Sequence, residues 1–391
     1  MKLACVVHRY GVDLAGGSEA HCRHVAEHLA AHHEVTILTT CARDHISWRN
    51  EYEPGASTIG PVAVIRFPVA RQRALHRFAD ASELAFSGTA TDAEQDQWFH
   101  ENGPDAPALV EYLRTHGSTY DAVLFWAFRY AEVYFGLPLV AERAILVPTA
   151  EEDPVIRMSV LETFLARPAG YIFLTPEEQE LVEQRIPVPR PSCVIGSGLD
   201  PARPGPTVDL RPLGVRNPFV LYLGRIDPNK GCADLLHHFT RFIAEHPRDV
   251  QLVMAGPASM PLPDHAAIRY LGFVDAETRD ALLAHASLLV MPSRYESLSL
   301  VLLEAWNHAR PALVNGLCAA LKGQALRANG ALYYRNYDEF TRCLTVLLDR
   351  PELMRTLGQQ GLAYVDREYR WPTVVAKIEG LLDEVTARRL S

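Results

Sequence analysis

Cysteine is sparse and scattered in this chain of 391 residues, and its distribution excludes two classes of small, cross-linked domain. The seven cysteines are widely spaced, and no C-x-x-C pair occurs among them. Because disulfide frameworks and zinc knuckles need recurring, closely spaced cysteines, we expect neither in this protein. Free thiols are typical of a reducing compartment, so the sequence favours a cytoplasmic location, with the inner face of a membrane as an alternative.

The chain also lacks a long apolar run and an excess of positive charge. Its most apolar stretch, Ala122–Val140, contains Arg129 and Glu132, whereas a membrane-spanning helix needs about 20 mostly apolar residues. Only five apolar residues follow Lys2, fewer than the roughly 7–15 of a signal-peptide core. The formal net charge of −9 argues against a nucleic-acid binder, because phosphate binding requires a basic surface.

What the chain does have is the length of two domains and the composition of a globular protein, with 48% hydrophobic and 22% charged residues. Short apolar runs such as Lys2–Val7 alternate with amphipathic runs of helical length such as Ser18–Ala31. Continuous apolar strands between helices indicate parallel sheets that are covered on both faces. We therefore predict an α/β protein with two Rossmann-like, doubly wound domains that face a central cleft.

Proline and glycine mark the predicted domain boundary. They cluster between Pro201 and Pro218, which is the best linker candidate in the chain. The sequence thus predicts an N-terminal domain over 1–205 and a C-terminal domain over 206–370. Residues 371–391 form an amphipathic helix that is expected to pack back on the N-terminal domain.

One segment, Pro68–Pro107, interrupts the alternation of strands and helices. A basic patch, Arg66–Arg77, leads into it, and it continues into the acidic stretch Asp92–Asp96. Two interpretations stay open: an element that faces the acceptor or a membrane surface, and a solvated helical insertion.

The first loop that carries candidate chemistry follows the first strand and contains Gly16-Gly17-Ser18-Glu19. Glycines allow a ligand to approach the backbone closely, and Ser18 is a natural N-cap for the next helix. The free N–H groups at the start of that helix could bind an anion. The dinucleotide fingerprint G-x-G-x-x-G is absent, and a tight, capped turn is the alternative interpretation.

The second loop follows the strand Phe219–Leu223 and carries Arg225 and Lys230 after Gly224. Cations at the carboxyl edge of a parallel sheet lie where open α/β sheets bind ligands. A guanidinium and an ammonium together suit a diphosphate, although a solvated pair with Asp227 as local partner is the alternative.

The third loop follows the strand Ser287–Met291 and carries Glu296. Ser299 is expected to cap a helix whose first N–H groups, those of Leu300 and Val301, could hold a phosphate. Glu304 follows on the apolar side of that helix, where a carboxylate needs a partner such as vicinal hydroxyls. An exposed helical glutamate is the alternative.

In this order and spacing, the three loops resemble the retaining glycosyltransferases of sequence family 4, which have the GT-B fold. Glu296 and Glu304 match the spacing of the family's paired-glutamate E-x7-E signature. The resemblance implies a hexosyltransferase that uses a nucleoside-diphosphate sugar, with UDP favoured over GDP. It also implies that neither a metal ion nor another cofactor is needed.

The resemblance further implies a role for each matching residue. Arg225 and Lys230 would neutralise the leaving diphosphate, and Glu296 would hold hydroxyls of the transferred sugar. Glu304 would hold the ribose hydroxyls of the donor. The remaining donor contacts would come from Gly16, Gly17, Gly224, Val274, Ser299, Leu300 and Val301.

The acceptor side departs from the family pattern. Many relatives have a histidine after the strand that corresponds to Ala122–Trp126, and this chain has none there. His8, Arg129 and Glu151 are the candidates to replace it, and the acceptor is a hydroxyl of a glycan, a lipid-linked glycan or a small molecule. Since one fold hosts several functions, an epimerase or phosphorylase of nucleotide sugars and a non-catalytic binder stay open.

Overall fold

The computed structural model describes residues 1–14, 16–187, 190–202 and 208–390. The chain forms two compact units, an N-terminal unit of Met1–Gly198 with Trp371–Ser391 and a C-terminal unit of Leu199–Arg370. Each unit contains one sheet whose strands alternate with helices, which confirms the α/β class with two Rossmann-like domains. The predicted boundary at 205/206 lies outside the described residues.

The N-terminal sheet has eight strands within the described ranges. They are β1 (Lys2–Val6), β2 (Glu34–Thr40), β3 (Gly55–Ile59), β4 (Val62–Phe67), β5 (Ala122–Trp126), β6 (Ala144–Val147), β7 (Gly170–Phe173) and β8 (Ser192–Val194). Their order is β3-β4-β2-β1-β5-β6-β7-β8, and every pairing is parallel except that of β3 with β4. The central strands β1 and β5 are fully buried beyond Lys2, as their continuous apolar sequences predict.

The helices of this unit include the last helix of the chain. They are α1 (Gly17–Leu29), α2 (Leu75–Ala85), α3 (Asp92–Asn102), α4 (Pro107–His116), α5 (Ala131–Gly136), α6 (Val160–Leu165), α7 (Pro176–Glu183) and α14 (Trp371–Leu390). The Trp371 indole at the start of α14 stacks on His28 of α1, with 3.6 Å between ring centroids. No helix among the described residues is long and apolar enough to cross a membrane.

Helix α3 corrects the interpretation of a solvated helical insertion, whereas α2 lies mostly at the surface. Trp98 and Phe99 on α3 are buried in the core of the N-terminal unit. The acidic residues at the start of α3 have a local role, because Thr91 and Glu94 form a capping box around its first turn. The segment therefore contributes to the core of the unit.

The basic patch Arg66–Arg77 is engaged by the protein itself. Arg66 is buried and donates a hydrogen bond of 2.7 Å to the carbonyl oxygen of Tyr10. The Arg71 guanidinium lies 2.9 Å from the buried carboxylate of Glu101. These arginines stabilise loops of the N-terminal unit, so the patch does not support the alternative of a membrane-facing surface.

The C-terminal unit has a six-stranded, wholly parallel sheet in the described ranges. Its strands are β9 (Phe219–Leu223), β10 (Gln251–Ala255), β11 (Ile268–Gly272), β12 (Leu288–Met291), β13 (Ala312–Asn315) and β14 (Ala331–Tyr334), in the order β11-β10-β9-β12-β13-β14. Its helices are α8 (Cys232–Glu245), α9 (Ala276–His285), α10 (Leu300–Asn307), α11 (Ala319–Ala328), α12 (Tyr337–Asp349) and α13 (Pro351–Glu368).

Both ends of the C-terminal unit meet at one point. The chain enters this unit at Leu199 and leaves it at Arg370. The Leu199 N–H donates a hydrogen bond of 2.7 Å to the Tyr369 carbonyl oxygen, and the Arg370 guanidinium donates to the Leu199 carbonyl oxygen at 3.2 Å. The first and last residues of the unit are therefore neighbours.

The strand order reverses once in each sheet, and these reversals position the site. In the N-terminal sheet the reversal lies between β1 and β5, and in the C-terminal sheet it lies between β9 and β12. Loops that leave adjacent strands at such a reversal diverge to opposite faces of the sheet. Open α/β sheets bind ligands in the crevice that this divergence creates outside the carboxyl ends of the strands.

Candidate active site

Two glycines shape the loops that leave β9 and β10. Gly224 and Gly256 have φ angles of 141° and 138°, a region that residues with a side chain rarely adopt. A Cβ atom on Gly256 would lie 2.0 Å from the carbonyl oxygen of Gly224. The loops after β9 and β10 can therefore approach each other this closely only because residue 256 is a glycine, while Gly224 is required by its φ angle.

Lys230 lies at the end of the short 3-10 helix in this loop. Asp227 caps that helix, because its carboxylate accepts the Lys230 N–H at 2.9 Å. The Lys230 ammonium lies 2.8 Å from the Glu296 carboxylate, which comes from the loop after β12. Both side chains are largely shielded from solvent, with 26% and 12% exposed. The structure thus brings these two predicted residues into direct contact at the strand reversal.

Arg225 follows Gly224 and has a much more open environment. Its side chain is 57% exposed, and its Nε lies 3.8 Å from the Asp227 carboxylate. A pair at that distance in solvent contributes little to stability. The Arg225 guanidinium is therefore held loosely at the carboxyl edge of β9, within reach of an anionic ligand.

Helix α10 begins where the sequence predicts. Ser299 is its N-cap, and the Ser299 hydroxyl accepts the N–H of Leu302 at 3.2 Å. Leu300 and Val301 form the first turn, whose N–H groups have no partner within the helix. The cap consequently holds the start of α10 directly after the loop that carries Glu296.

Glu304, one turn further along α10, has a partner that the sequence analysis did not assign. Its carboxylate is ion-paired with the guanidinium of Arg279 on α9. The Glu304 side chain is half-buried, so this cation offsets part of its desolvation. Val274, one of the predicted donor contacts, is half-buried in the loop between β11 and α9, beside the exposed Phe273.

In the N-terminal unit, the loop after β1 contains a buried ionic cluster. Glu19, on the first turn of α1, accepts a hydrogen bond of 2.9 Å from His8 Nε2 and is ion-paired with Arg9. All three side chains are buried. Burial alone raises the pKa of Glu19, but His8 and Arg9 lower it from 4.5 to about 2. Glu19 is therefore a carboxylate at neutral pH.

His8 is enclosed and does not face solvent in this structure. Its side chain is buried, with 1% exposed, and its ring stacks on Tyr130 with 3.8 Å between centroids. Burial lowers the pKa of His8, so the imidazole is neutral at pH 7. Since the Glu19 carboxylate can only accept, His8 Nε2 carries the hydrogen. His8 Nδ1 is then an acceptor that finds no donor among the described residues.

Gly16 allows Glu19 to reach this cluster, and here the structure corrects one prediction. The N-cap of α1 is Gly16, without a side-chain cap, and Ser18 lies inside the helix, so the predicted Ser18 cap is wrong. A Cβ atom on Gly16 would lie 2.2 Å from a carboxylate oxygen of Glu19. A Cβ atom on Gly17 would meet nothing within 4 Å.

Arg129 and Glu151 lie at the carboxyl ends of β5 and β6, at the same edge of the sheet as His8. The Arg129 guanidinium is 2.8 Å from Asp153 and 4.0 Å from Glu151. All three side chains are partly exposed. Unlike His8, this group of charged side chains can contact a ligand without a rearrangement of the fold.

Sequence reasoning missed Glu19, Arg9, Tyr130 and Arg279 as parts of these clusters. The available signal for Glu19 was a carboxylate in the first helical turn directly after two glycines. The partners of Arg279 and Tyr130 come from other elements, so no local pattern identifies them. Within the described part of the chain, no three His, Cys, Asp or Glu side chains are grouped as around a metal ion.

One family model matches this chain, and the match lies in the C-terminal unit. Residues 217–350 match the family model described as Glycosyl transferases group 1. The MMP alpha-(1->4)-mannosyltransferase of Mycolicibacterium hassiacum is 29% identical over 44% of this chain and 44% of its own length. The alpha-D-kanosaminyltransferase of Streptomyces kanamyceticus is 28% identical over 43% of this chain and 46% of its own length. The chain thus matches less than half the length of these curated relatives.

Solved structures are similar over nearly the whole chain. Sucrose-phosphate synthase from Thermosynechococcus elongatus superposes with a TM-score of 0.73, at 17% identity and 99% coverage of both chains. HepE from Anabaena, in complex with UDP-glucose, has a TM-score of 0.71 at 15% identity, covering 98% of this chain and 100% of HepE. At these identities the likeness concerns the fold, and it confirms the predicted GT-B fold class.

Proposed function

We propose that this chain is a retaining glycosyltransferase, which moves a hexose from a nucleoside-diphosphate sugar to a hydroxyl acceptor. The observation that carries the proposal is the contact of Lys230 with Glu296 at the strand reversal, with the exposed Arg225 on the same loop as Lys230. These residues and Glu304 all lie inside residues 217–350, the range that matches the glycosyltransferase family model. Two cations and two carboxylates at one sheet edge suit a diphosphate and the hydroxyls on either side of it.

We favour a UDP-sugar as donor and a GDP-sugar as second choice. Support comes from HepE, which was solved with UDP-glucose and shares the fold. The curated relatives carry different sugars, as the names mannosyltransferase and kanosaminyltransferase state. The identity of the transferred hexose is therefore left open. The acceptor is proposed only by class, as a hydroxyl of a glycan, a lipid-linked glycan or a small molecule.

Donor binding would exchange the partner of Lys230. Without donor, the ammonium of Lys230 and the carboxylate of Glu296 satisfy each other at 2.8 Å. A diphosphate would compete for the ammonium and would release the Glu296 carboxylate to accept hydrogen bonds from sugar hydroxyls. The ion pair between Lys230 and Glu296 thus holds both side chains in position before the donor binds. In the complex, Lys230 would contact the diphosphate and Glu296 would contact the sugar.

The proposed chemical step relies on stabilisation of the departing diphosphate. The bond between the anomeric carbon and the phosphate oxygen breaks while the acceptor oxygen bonds to the same face of that carbon. The proton of the acceptor hydroxyl passes to the leaving phosphate oxygen, so charge and atoms balance without a further reactant. Lys230 and Arg225 neutralise the charge that develops on the diphosphate, and for this reason we propose no metal or cofactor requirement.

Glu304 is proposed to hold the two ribose hydroxyls of the donor. A carboxylate accepts two hydrogen bonds from vicinal hydroxyls, and Arg279 fixes its position from the neighbouring helix. Val274, in the loop after β11, is proposed to lie against the base. The N–H groups of Ser299, Leu300 and Val301 are proposed to approach the distal phosphate.

On the acceptor side we propose Arg129 and Glu151 as direct contacts. Both are partly exposed, whereas His8 is enclosed between Glu19 and Tyr130. We therefore propose that His8 supports the loop after β1 and does not touch the acceptor. The proposed role of Gly16 and Gly17 is to let that loop approach the donor closely.

The test is a panel of UDP-, GDP- and ADP-hexoses, with release of nucleoside diphosphate as the readout and NMR of the product for its anomeric configuration. We expect slow release without acceptor, faster release with a suitable acceptor, and retained configuration. An epimerised nucleotide sugar would instead indicate an isomerase, and tight binding without any turnover would indicate a binding protein. An inverted product would reject the retaining mechanism.

The Lys230→Ala variant tests the assigned role. Loss of one electrostatic stabiliser should lower kcat/KM by about 100-fold or more. Lys2→Ala is the matched control, because Lys2 is exposed and pairs weakly with Glu34 at 3.8 Å. Lys2 is the first residue of β1, so it lies at the amino end of that strand, whereas the candidate loops follow the carboxyl ends of their strands. A near wild-type rate for Lys230→Ala would refute the assignment.

A further inference from the structure

A cavity lies at the edge of the C-terminal sheet that is opposite to the candidate active site. Its volume is about 540 Å³, and its lining includes Pro218, Ser287 and Pro311, the residues that immediately precede β9, β12 and β13. Because these strands are parallel, the active-site loops leave from their other ends. At 3.3 Å per residue, the five residues of β9 separate the two edges by roughly 16 Å.

The lining of this cavity carries positive and no negative side chains. The positive charges are those of Arg310 and Arg355, and the lining, which also includes His285, contains no aspartate or glutamate. Arg355 is at the exposed rim and is ion-paired with Glu352, which is outside the lining. The cavity therefore presents a local positive potential in a chain whose net charge is negative.

Arg310 is the informative residue. Its guanidinium makes no hydrogen bond or ion pair with any residue in the part of the chain that the structure describes, and its Nε atom is buried. Burial lowers the pKa of Arg310, and no neighbouring carboxylate opposes this effect. Arg310 as a whole is half-buried, so an anion in the cavity would offset the partial desolvation of its guanidinium.

The chemistry of the lining indicates which anion fits. A guanidinium offers a planar fork of donors that matches two oxygens of a phosphate group. The side chains of Asn217 and Ser287 also line the cavity and have no hydrogen-bond partner among the described residues. A cavity of this size lies in the range typical of small organic ligands, about 300–1,000 Å³, and exceeds what one phosphate ion would fill.

We propose that this cavity binds a small organic phosphate, with Arg310 as the principal anion contact and with Asn217 and Ser287 as polar contacts to the rest of the ligand. The site is separate from the proposed donor site and does not depend on the proposed transferase activity. It would be occupied whether or not a nucleotide sugar is bound.

The experiment is calorimetric titration of the full chain with glycerol 3-phosphate, in the presence of saturating UDP. We expect the wild type to bind, Arg310→Gln to bind at least tenfold more weakly, and inorganic phosphate to bind the wild type more weakly than glycerol 3-phosphate. Arg342→Gln is the matched control, because Arg342 is an exposed arginine of the same unit that does not line the cavity. UDP binding, measured separately, should be equal in all variants.

Several outcomes would overturn the proposal. They are no binding of glycerol 3-phosphate at millimolar concentration, undiminished binding by Arg310→Gln, and competition with UDP, which would assign the phosphate to the donor site. Inorganic phosphate that binds as tightly as glycerol 3-phosphate would refute the organic contacts. Should Arg310→Gln fail to fold, His285→Glu places a negative charge at the exposed rim of the same cavity and should also weaken binding.

Discussion

Replacement of Gly16 by alanine should destabilise the fold through Glu19 and not through the backbone. Gly16 has a φ angle of 178°, an extended conformation that alanine adopts readily. The added methyl group, however, would lie 2.2 Å from a carboxylate oxygen of Glu19. Since the methyl cannot move, the carboxylate must leave its position between His8 and Arg9.

The expected cost follows from the burial of that cluster. Separation of one member from a buried ion pair costs about 3–5 kcal/mol, because the remaining charge stays uncompensated. For a unit of this size, each kcal/mol lowers Tm by about 2–4 °C, so Gly16→Ala should lower Tm by roughly 6–20 °C. In a Glu19→Ala background the new methyl meets no carboxylate, and the same substitution should cost less than about 1 kcal/mol.

The assay is a double-mutant cycle of the wild type, Gly16→Ala, Glu19→Ala and the double variant, followed by urea and thermal unfolding. We expect a coupling free energy of at least about 2 kcal/mol between the two positions. Additivity to within about 0.5 kcal/mol would refute the reasoning, because it would mean that the methyl group acts independently of the carboxylate.

The same cluster predicts a pH dependence with a defined sign. Burial raises the pKa of Glu19, but His8 and Arg9 bring it from 4.5 down to about 2. The resulting stabilisation is complete above pH 4.5 and is lost as pH falls toward 2, and the difference corresponds to about 3 kcal/mol. Between pH 5 and 2.5 the wild type should therefore lose more stability than Glu19→Ala. Parallel pH profiles of the two proteins would contradict the assignment.

Three further substitutions test other parts of the structure. Glu304→Gln should weaken UDP binding about 10- to 100-fold in calorimetry, because hydrogen bonds from hydroxyls to a charged group are lost, and unchanged affinity would refute the ribose contact. Glu178→Gln should lower the free energy of unfolding by about 1–3 kcal/mol. The two oxygens of the buried Glu178 carboxyl group, whose pKa burial raises to about 8, accept the N–H groups of Ala150 and Leu174, each at 2.6 Å, whereas an amide offers only one acceptor oxygen. An unchanged urea midpoint would count against this. Gly256→Ala should yield little folded protein by circular dichroism, because its Cβ would overlap the Gly224 carbonyl oxygen, and a normal spectrum and Tm would contradict the close approach of these two loops.

Most strands of both sheets could be predicted because their signals are local, whereas β3 and β14 were not predicted. The strand Phe219–Leu223 is a continuous apolar run that ends at a glycine, and the Ser299 cap precedes the first turn of α10. Residues such as Arg225 and Lys230 were identified because loops at the carboxyl ends of parallel strands have a known position. In each case the pattern lies within about ten residues of sequence.

What the sequence did not indicate depends on tertiary contacts. Ser18 looked like a cap, but Gly16 holds that place and the adjacent Glu19 turns toward His8 instead. Likewise, Trp98 and Phe99 are neighbours in α3 and both are buried. Their spacing gives no clear amphipathic pattern, so burial of this helix follows from the helices around it.

The junction of Leu199 with Tyr369 and Arg370 makes the C-terminal unit a topological insertion, with α14 completing the fold that the insertion interrupts. A chain cut after residue 370 would consequently damage the half of the molecule that was synthesised first and leave the second half intact. If residues 199–370 were expressed alone, the two termini would be adjacent. A short peptide linker could therefore join them into a circular chain without distorting either terminus.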